Sequence, residues 1–135
     1  MTDVHVRLRV GSERYAVCVE HVLEVAELGE LSAVPGAGPA VLGVRNLQGQ
    51  VLPVFDLARV LAVAGEPSTR YVVVAQHEGR LAGLAVQQVT DVDALAPATE
   101  EPEADHLSGA VLEGGQLVGI IDVERLFGAL AKEAA

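Results

Sequence analysis

The chain has no tryptophan, two phenylalanines, two tyrosines, one methionine and one cysteine among 135 residues. With so few rings the core has to be aliphatic, built from Val, Leu and Ala. Side chains branched at Cβ fit a pleated surface, so this composition leans toward strands. The lone Cys18 excludes an intramolecular disulfide and suits a reducing compartment. Within Ala16-Val17-Cys18-Val19 it reads as a small buried hydrophobe. Positive charge is scarce as well: nine basic residues, with Lys132 the single lysine, face 19 acidic ones, for a net charge of −10. That balance excludes a nucleic-acid partner bound through its phosphates and disfavours an anionic membrane surface. No apolar run approaches the roughly 20 residues of a membrane-spanning helix. The first ten residues lack the apolar centre of a signal peptide. A cytoplasmic protein without membrane insertion is expected.

Signatures of chemistry are missing too. His5, His21, His77 and His106 are scattered, with no pair at metal-ligand spacing. His21 and Glu24 could share a helical face, but such a pair reads more simply as solvated surface. No serine has the Gly-x-Ser-x-Gly context of a nucleophile elbow, and no Gly-rich loop ends in Lys-Ser/Thr. The acidic stretch Asp91–Asp105 holds Asp91, Asp93, Glu100, Glu101, Glu103 and Asp105 without a basic residue. Its spacing is not that of a calcium loop, and Pro97 and Pro102 interrupt it, so it reads as a solvated linker. No metal, cofactor or catalytic residue is expected, and the protein is read as not an enzyme. Its function then has to lie in its surfaces.

What is present is a succession of short apolar runs joined by Gly-containing turns. Val4–Val10 and Tyr15–Val19 flank Gly11-Ser12-Glu13; Val41–Arg45 and Val51–Phe55 flank Gln48-Gly49. Tyr71–Ala75 and Leu81–Val86 flank Glu78-Gly79; Gly109–Leu112 and Leu117–Ile121 flank Gly114-Gly115. Each is a β-hairpin signal, because Gly supplies the positive φ of tight turns. The signals repeat. Gly43–Leu61 aligns with Gly109–Phe127, with Gly43/Gly109, Gly49/Gly115, Gln50/Gln116, Asp56/Asp122 and Arg59/Arg125 identical. Val19–Leu28 aligns likewise with Val86–Leu95. The pattern points to a duplication with halves at about 4–67 and 69–131, together one domain over 1–135. Asp56 and Asp122 stand where a β-run gives way to a 3.6-residue period, as helix N-caps do. Gly65 and Gly128 are natural stops, and the tail after Leu130 is expected to fray. Val19–Leu28 fits helix or strand; a single turn near Glu20–Val22 followed by a strand through Val25 is expected. Each half then has roughly five short strands and a capping helix, close to a small barrel, with too little core to stand alone.

The run Val34-Pro35 … Val41-Leu42-Gly43-Val44-Arg45-Asn46-Leu47-Gln48-Gly49-Gln50-Val51-Leu52-Pro53-Val54-Phe55-Asp56-Leu57 resembles the signature of CheW-like domains. These are the bacterial chemotaxis coupling proteins and the regulatory domain of the histidine kinase CheA. Val22 with Glu24-Val25, Gly83–Val86, and Gly109 with Leu117–Asp122 extend the resemblance over about residues 4–130. It implies a mainly β fold of two small SH3-like five-stranded β-barrels sharing a core, with short helices after Asp56 and Asp122. It implies a non-enzymatic adaptor, recruited to receptor arrays, that couples chemoreceptor signalling tips to a CheA-type histidine kinase. The partners implied are the chemoreceptor cytoplasmic tip and the kinase regulatory domain. Carried over by position, the partner-binding residues are Val22, Glu24, Gly43, Asn46, Leu47, Gln48 and Gly49. Leu47, a large apolar side chain placed at a turn tip, is the one that most needs a partner. The family turn is usually Asn-Leu-Arg-Gly, and here Gln48 replaces the Arg; a later Val-Asp reads Val86-Gln87. Arg45 could partly restore the missing charge. These departures motivate an alternative: a divergent member that has lost one interface and binds receptor only, or competes.

Overall fold

Alternating apolar residues and tight turns become ten strands among the described residues. A computed structural model describes residues 3–64, 69–102 and 104–134. Gly65 and Glu103 therefore lie outside the described residues. The strands are β1 (Val4–Val10), β2 (Glu13–Cys18), β3 (Val22–Glu27), β4 (Val41–Leu47), β5 (Gln50–Asp56), β6 (Tyr71–His77), β7 (Arg80–Val86), β8 (Gln88–Ala94), β9 (Leu107–Glu113) and β10 (Gln116–Ile121). A 3₁₀ turn at Val19–His21 precedes β3, where the single turn was expected. The turns at Gln48-Gly49, Glu78-Gly79 and Gly114-Gly115 all have positive φ at both central residues, the twist that two-residue hairpins require.

The strands form two five-stranded sheets, ordered β8-β1-β2-β10-β9 and β3-β6-β7-β5-β4. Exchanging each strand for the one five places along converts the first order into the second. The registers follow: Val6 faces Val17 as Val73 faces Leu84, and β2 runs parallel to β10 as β7 does to β5. Neither half closes on itself, however, as the sequence reading had supposed. The β1–β2 hairpin joins three strands from the second half, and the β6–β7 hairpin joins three from the first. The physical reason lies in the faces of these hairpins. Val6, Leu8, Val10 and Val17 on one side and Val73, Ala75, Leu84 and Val86 on the other meet in one shared apolar layer. A smaller apolar cluster belongs to each sheet: Ala16, Leu95, Val111 and Val118 in the first, Leu52, Val54, Val72, Val74 and Ala85 in the second.

Both expected caps form. Asp56 accepts from the Ala58 N–H at 3.2 Å and opens α1 (Leu57–Val60). Asp122 accepts from the Arg125 N–H at 3.1 Å and opens α2 (Val123–Ala134). The expected stop at Gly128 is overturned, since α2 runs straight through it. Leu126, Phe127 and Leu130 are buried in the shared layer. That burial outweighs the roughly 1 kcal/mol by which an interior Gly disfavours a helix. The same packing holds residues beyond Leu130 in helix, where fraying was expected. Cys18 is half-buried rather than fully buried. The acidic stretch is also not all linker, because its first part is β8.

One charged residue lies where the repeat would place an apolar one. Arg7 in β1 stands opposite Ala16, as Val74 in β6 stands opposite Gly83. Leu47 packs against the cluster that contains Val74, whereas Arg7 pairs with Glu113 at the position matching Leu47. Arg7 Nε and Nη2 donate to the two Glu113 oxygens at 2.9 and 2.7 Å. Nη1 donates to Asp91 Oδ1 at 3.3 Å and the Asp93 carbonyl at 3.4 Å, and Nη2 also donates to the Ala94 carbonyl at 2.8 Å. A guanidinium has five N–H groups, and this set engages all of them, which is what makes its burial tolerable. The Arg7 hydrogen bond holds the Glu113 carboxyl below its ordinary range, against the opposing effect of burial.

A carboxyl lowered on folding contributes stability above the ordinary glutamate range and loses it as pH falls through the lowered value. Glu113→Gln should therefore cost about 2–3 kcal/mol near neutral pH, because it leaves a buried charge short of its partner. Denaturant unfolding of both proteins from pH 7 down to pH 3 checks this. The gap should close toward the acid end, and a gap independent of pH would contradict the ion-pair account.

Candidate interaction surface

The residues singled out by sequence fall into two groups on the second sheet. Asn46, Leu47, Gln48 and Gly49 form the end of the β4–β5 hairpin, and Val22 and Glu24 begin β3, the opposite edge strand. The two edges are tied by Arg45, whose Nη1 donates to the Glu27 and Leu28 carbonyls at 3.0 and 3.2 Å. Ser32 and Val44 exchange backbone hydrogen bonds of 2.9 Å at the same seam. Arg45 thus closes the sheet, and this use of its guanidinium argues against its standing in for the missing turn Arg.

Within the hairpin each residue has a distinct part. Asn46 Oδ1 accepts from the Gly49 N–H at 2.8 Å and so fixes the turn. Gln48 and Gly49 follow with φ of 50° and 87°. A non-Gly residue in that region is held at some cost, so Gln48 is presented outward by a turn whose shape its neighbours impose. Leu47 differs from expectation. Its side chain is half-buried against the cluster around Leu52 and Val54, because it is an in-facing residue of β4 and not the turn tip. The most exposed apolar side chain on the hairpin is Val51, 74 % accessible and opposite Asn46 in the register. Sequence reading missed it, although an apolar residue two positions past a two-residue turn, on the outward alternation, carries the signal.

Gly43 is buried, and a Cβ there would lie 2.6 Å from the Ser32 carbonyl oxygen. The position expected near a partner surface is instead covered by this chain's own 31–32 segment, and its glycine is needed for that close approach. On the other edge, Val22 is half-buried against the shared layer. Glu24 is exposed, flanked by Leu23 and Val25 at 51 % and 40 % accessibility. A register shift between Val22 and Glu24 accounts for the broken alternation. This edge strand therefore exposes two apolar side chains and a carboxylate side by side.

Other polar groups prove to be structural. Gln87 is buried, and its Oε1 accepts from the Gly11 N–H at 2.6 Å, which anchors the β1–β2 turn. His21 lies 6.0 Å from His77 between ring centroids, and His77 lies 5.8 Å from Phe127. The carboxylate beside His21 is Glu20 at 3.8 Å, rather than Glu24. Among the described residues no group of three or more His, Cys, Asp or Glu could hold a metal. No described helix is long and apolar enough to cross a membrane. Tyr15 keeps its proton: burial, then the charge of Glu13, push its hydroxyl up to about 12.

The geometry defines a mainly β protein with an exposed hairpin end and an exposed edge strand on its second sheet. Residues 5–131 match the family model of the CheW-like domain, and the chain belongs to that family. It is similar to Chemotaxis protein CheW of Rhizobium meliloti (strain 1021), 31% identical over 140 residues that cover 96% of this chain and 90% of that protein. It is also similar to Protein FrzA of Myxococcus xanthus, 33% identical over 131 residues, covering 87% and 81%. The crystal structure of scaffolding protein TtCheW from Thermoanaerobacter tengcongensis shares the fold, with a TM-score of 0.81 at 23% identity over 94% of this chain and 88% of that one.

Leu47 and Val51 should separate structure from contact. Leu47→Ala removes packing from the second sheet's cluster and should lower unfolding free energy by about 2 kcal/mol. Val51→Asp, on the exposed face, should change it by less than about 0.5 kcal/mol. Urea titrations followed by circular dichroism measure both; equal losses would mean that the hairpin faces have been exchanged.

Proposed function

We propose that this chain is an adaptor of a chemosensory pathway, coupling the cytoplasmic tip of a chemoreceptor to a CheA-type histidine kinase. Membership of the CheW-like family supports this, as do relatives named as chemotaxis proteins and a structural neighbour named as a scaffold. The observation that carries the reading is the β4–β5 hairpin. A turn fixed by Asn46 and Gly49 presents Gln48, near an exposed Val51. The receptor face is assigned to this hairpin together with Glu24 and its flanking Leu23 and Val25. Val22, Gly43 and Leu47 support that face from beneath, since their contacts are internal. A helical receptor tip offers an apolar stripe, and an apolar strand edge with one carboxylate is a fitting counterpart. The output of such an adaptor is geometric: by holding two partners in fixed relation it lets a change in one bias the states of the other.

A second reading rests on Gln48. A turn with Arg at this place carries a fork of N–H donors and a positive charge, and Gln carries neither fork nor charge. With Arg45 engaged at the seam, the hairpin has no substitute cation. The chain would then keep the receptor interface and lose the kinase interface.

Purified chain titrated against a receptor cytoplasmic fragment, and separately against a kinase regulatory domain, tests both readings. Val51→Asp should weaken receptor-fragment binding at least about tenfold, equivalent to ~1.4 kcal/mol. Gln48→Arg should strengthen binding to an acidic partner surface, with the gain shrinking as salt is raised. If Val51→Asp leaves receptor affinity unchanged, the hairpin is not the receptor face. If Gln48→Arg creates kinase binding that the native chain lacks, the one-interface reading replaces the adaptor.

A further inference from the structure

The two ends of the shared apolar layer are covered unequally. Beside β5 and β7, Phe127, Leu130 and Ala131 of α2 lie against Pro53, Phe55 and Ala82, leaving a crevice of about 180 Å³. The matching strands of the other sheet, β10 and β2, carry a groove of about 480 Å³. Its apolar walls are Tyr15, Leu61, Val63, Leu107 and Leu117, and Gly119 forms part of its lining. The register relates the two sites: Leu61 aligns with Phe127, Gly119 with Pro53, and Tyr15 with Ala82.

The groove is wide because α1 is stopped after one turn. The Ala62 N–H donates to the Arg59 carbonyl at 3.2 Å and the Val63 N–H to the Ala58 carbonyl at 2.8 Å, with Ala62 at φ 56°. This is the hydrogen-bonded reversal that ends helices, built here on an alanine instead of a glycine. Where α2 continues along its groove, α1 turns away from the equivalent one. Leu117, at the groove's edge, is 46 % accessible. The rim carries Glu13, Glu100 and Glu101 against one cation, Arg14, which donates to Gln116 Oε1 at 3.1 Å.

We propose that this groove docks an amphipathic helix of a partner protein, one with two apolar residues a turn apart and Lys or Arg beside them. The molecule shows the apolar part of the fit at its other end, where α2 seats Phe127 and Leu130 on the matching strands. The rim supplies the charge preference, since three carboxylates facing one guanidinium select a basic helix. The surface is separate from the β4–β5 hairpin, so this proposal stands or falls independently of the receptor reading.

The test uses the full chain and a capped synthetic peptide with the sequence of residues 123–134, in which Glu124 and Glu133 are replaced by Lys. At low salt it should bind with a Kd of about 100 μM or tighter. Binding should shift the resonances of Tyr15, Leu107 and Leu117. Affinity should fall at least about tenfold with Leu117→Asp, and at least about fivefold with Glu100→Lys plus Glu101→Lys or with high salt. No shifts at millimolar peptide would overturn the proposal. So would shifts confined to the residues around Phe127, which would mean that the peptide displaces α2. Self-association of the native chain that Leu117→Asp abolishes would assign the groove to a second copy instead.

Discussion

Everything in this fold depends on one apolar layer, in which the hairpins β1–β2 and β6–β7 press Val, Leu and Ala side chains against each other. An aliphatic chain of this length has no aromatic bulk with which to fill two separate cores, and each half alone would leave that face of its first hairpin in water. Burial at roughly 25 cal/mol per Å² favours putting the two faces together. The exchange of hairpins then adds parallel pairs between strands far apart in sequence, β2 with β10 and β5 with β7. The two sequence halves consequently cannot come apart without breaking strand pairing, while the two sheets are held to each other by the apolar layer and by the chain that crosses between them. For an adaptor this rigidity has a use, since the relation between its surfaces is set by the core and not by a linker.

The local features were legible in the sequence, for physical reasons. Two-residue turns such as Glu78-Gly79 and Gly114-Gly115 leave a signature in composition, and capping by Asp56 and Asp122 involves only neighbours along the chain. The mainly β class and the strand runs followed from these. The hairpin exchange was not legible, because a parallel pair joining β2 to β10 is non-local and leaves no trace in either strand alone. Arg7 was hidden for a related reason. In the alternation of Val4–Val10 it looks like an outward polar residue, and only the strand from the other half, carrying Glu113, makes its inward position tolerable.

The candidate site was legible in place but not in detail. The motif located the β4–β5 hairpin, and Asn46, Gln48, Gly49 and Glu24 are accessible there. Leu47 and Gly43 face inward instead, since alternation from a turn whose exact residues are Gln48 and Gly49 puts Leu47 inside and Val51 outside. A shift of one position reverses every side chain along a strand, which is why exposed apolar contacts are the least readable part of such a surface. Arg45, read from sequence as a substitute charge, serves the sheet seam, and Gln87, a departure from the family pattern, serves the β1–β2 turn.

The central claim is that the two sheets form one cooperative unit, and the chain's two tyrosines provide the direct measurement. Tyr15 lies in β2 of the first sheet and Tyr71 in β6 of the second. With no tryptophan present, Tyr71→Phe leaves fluorescence reporting on the first sheet alone, and Tyr15→Phe leaves it reporting on the second. In each variant, urea unfolding followed by tyrosine fluorescence should have the same midpoint as unfolding followed by circular dichroism. Fluorescence midpoints that depart from the circular dichroism midpoint of the same variant, or a two-step dichroism curve, would mean that the sheets unfold separately and that the shared layer does not bind them into one structure.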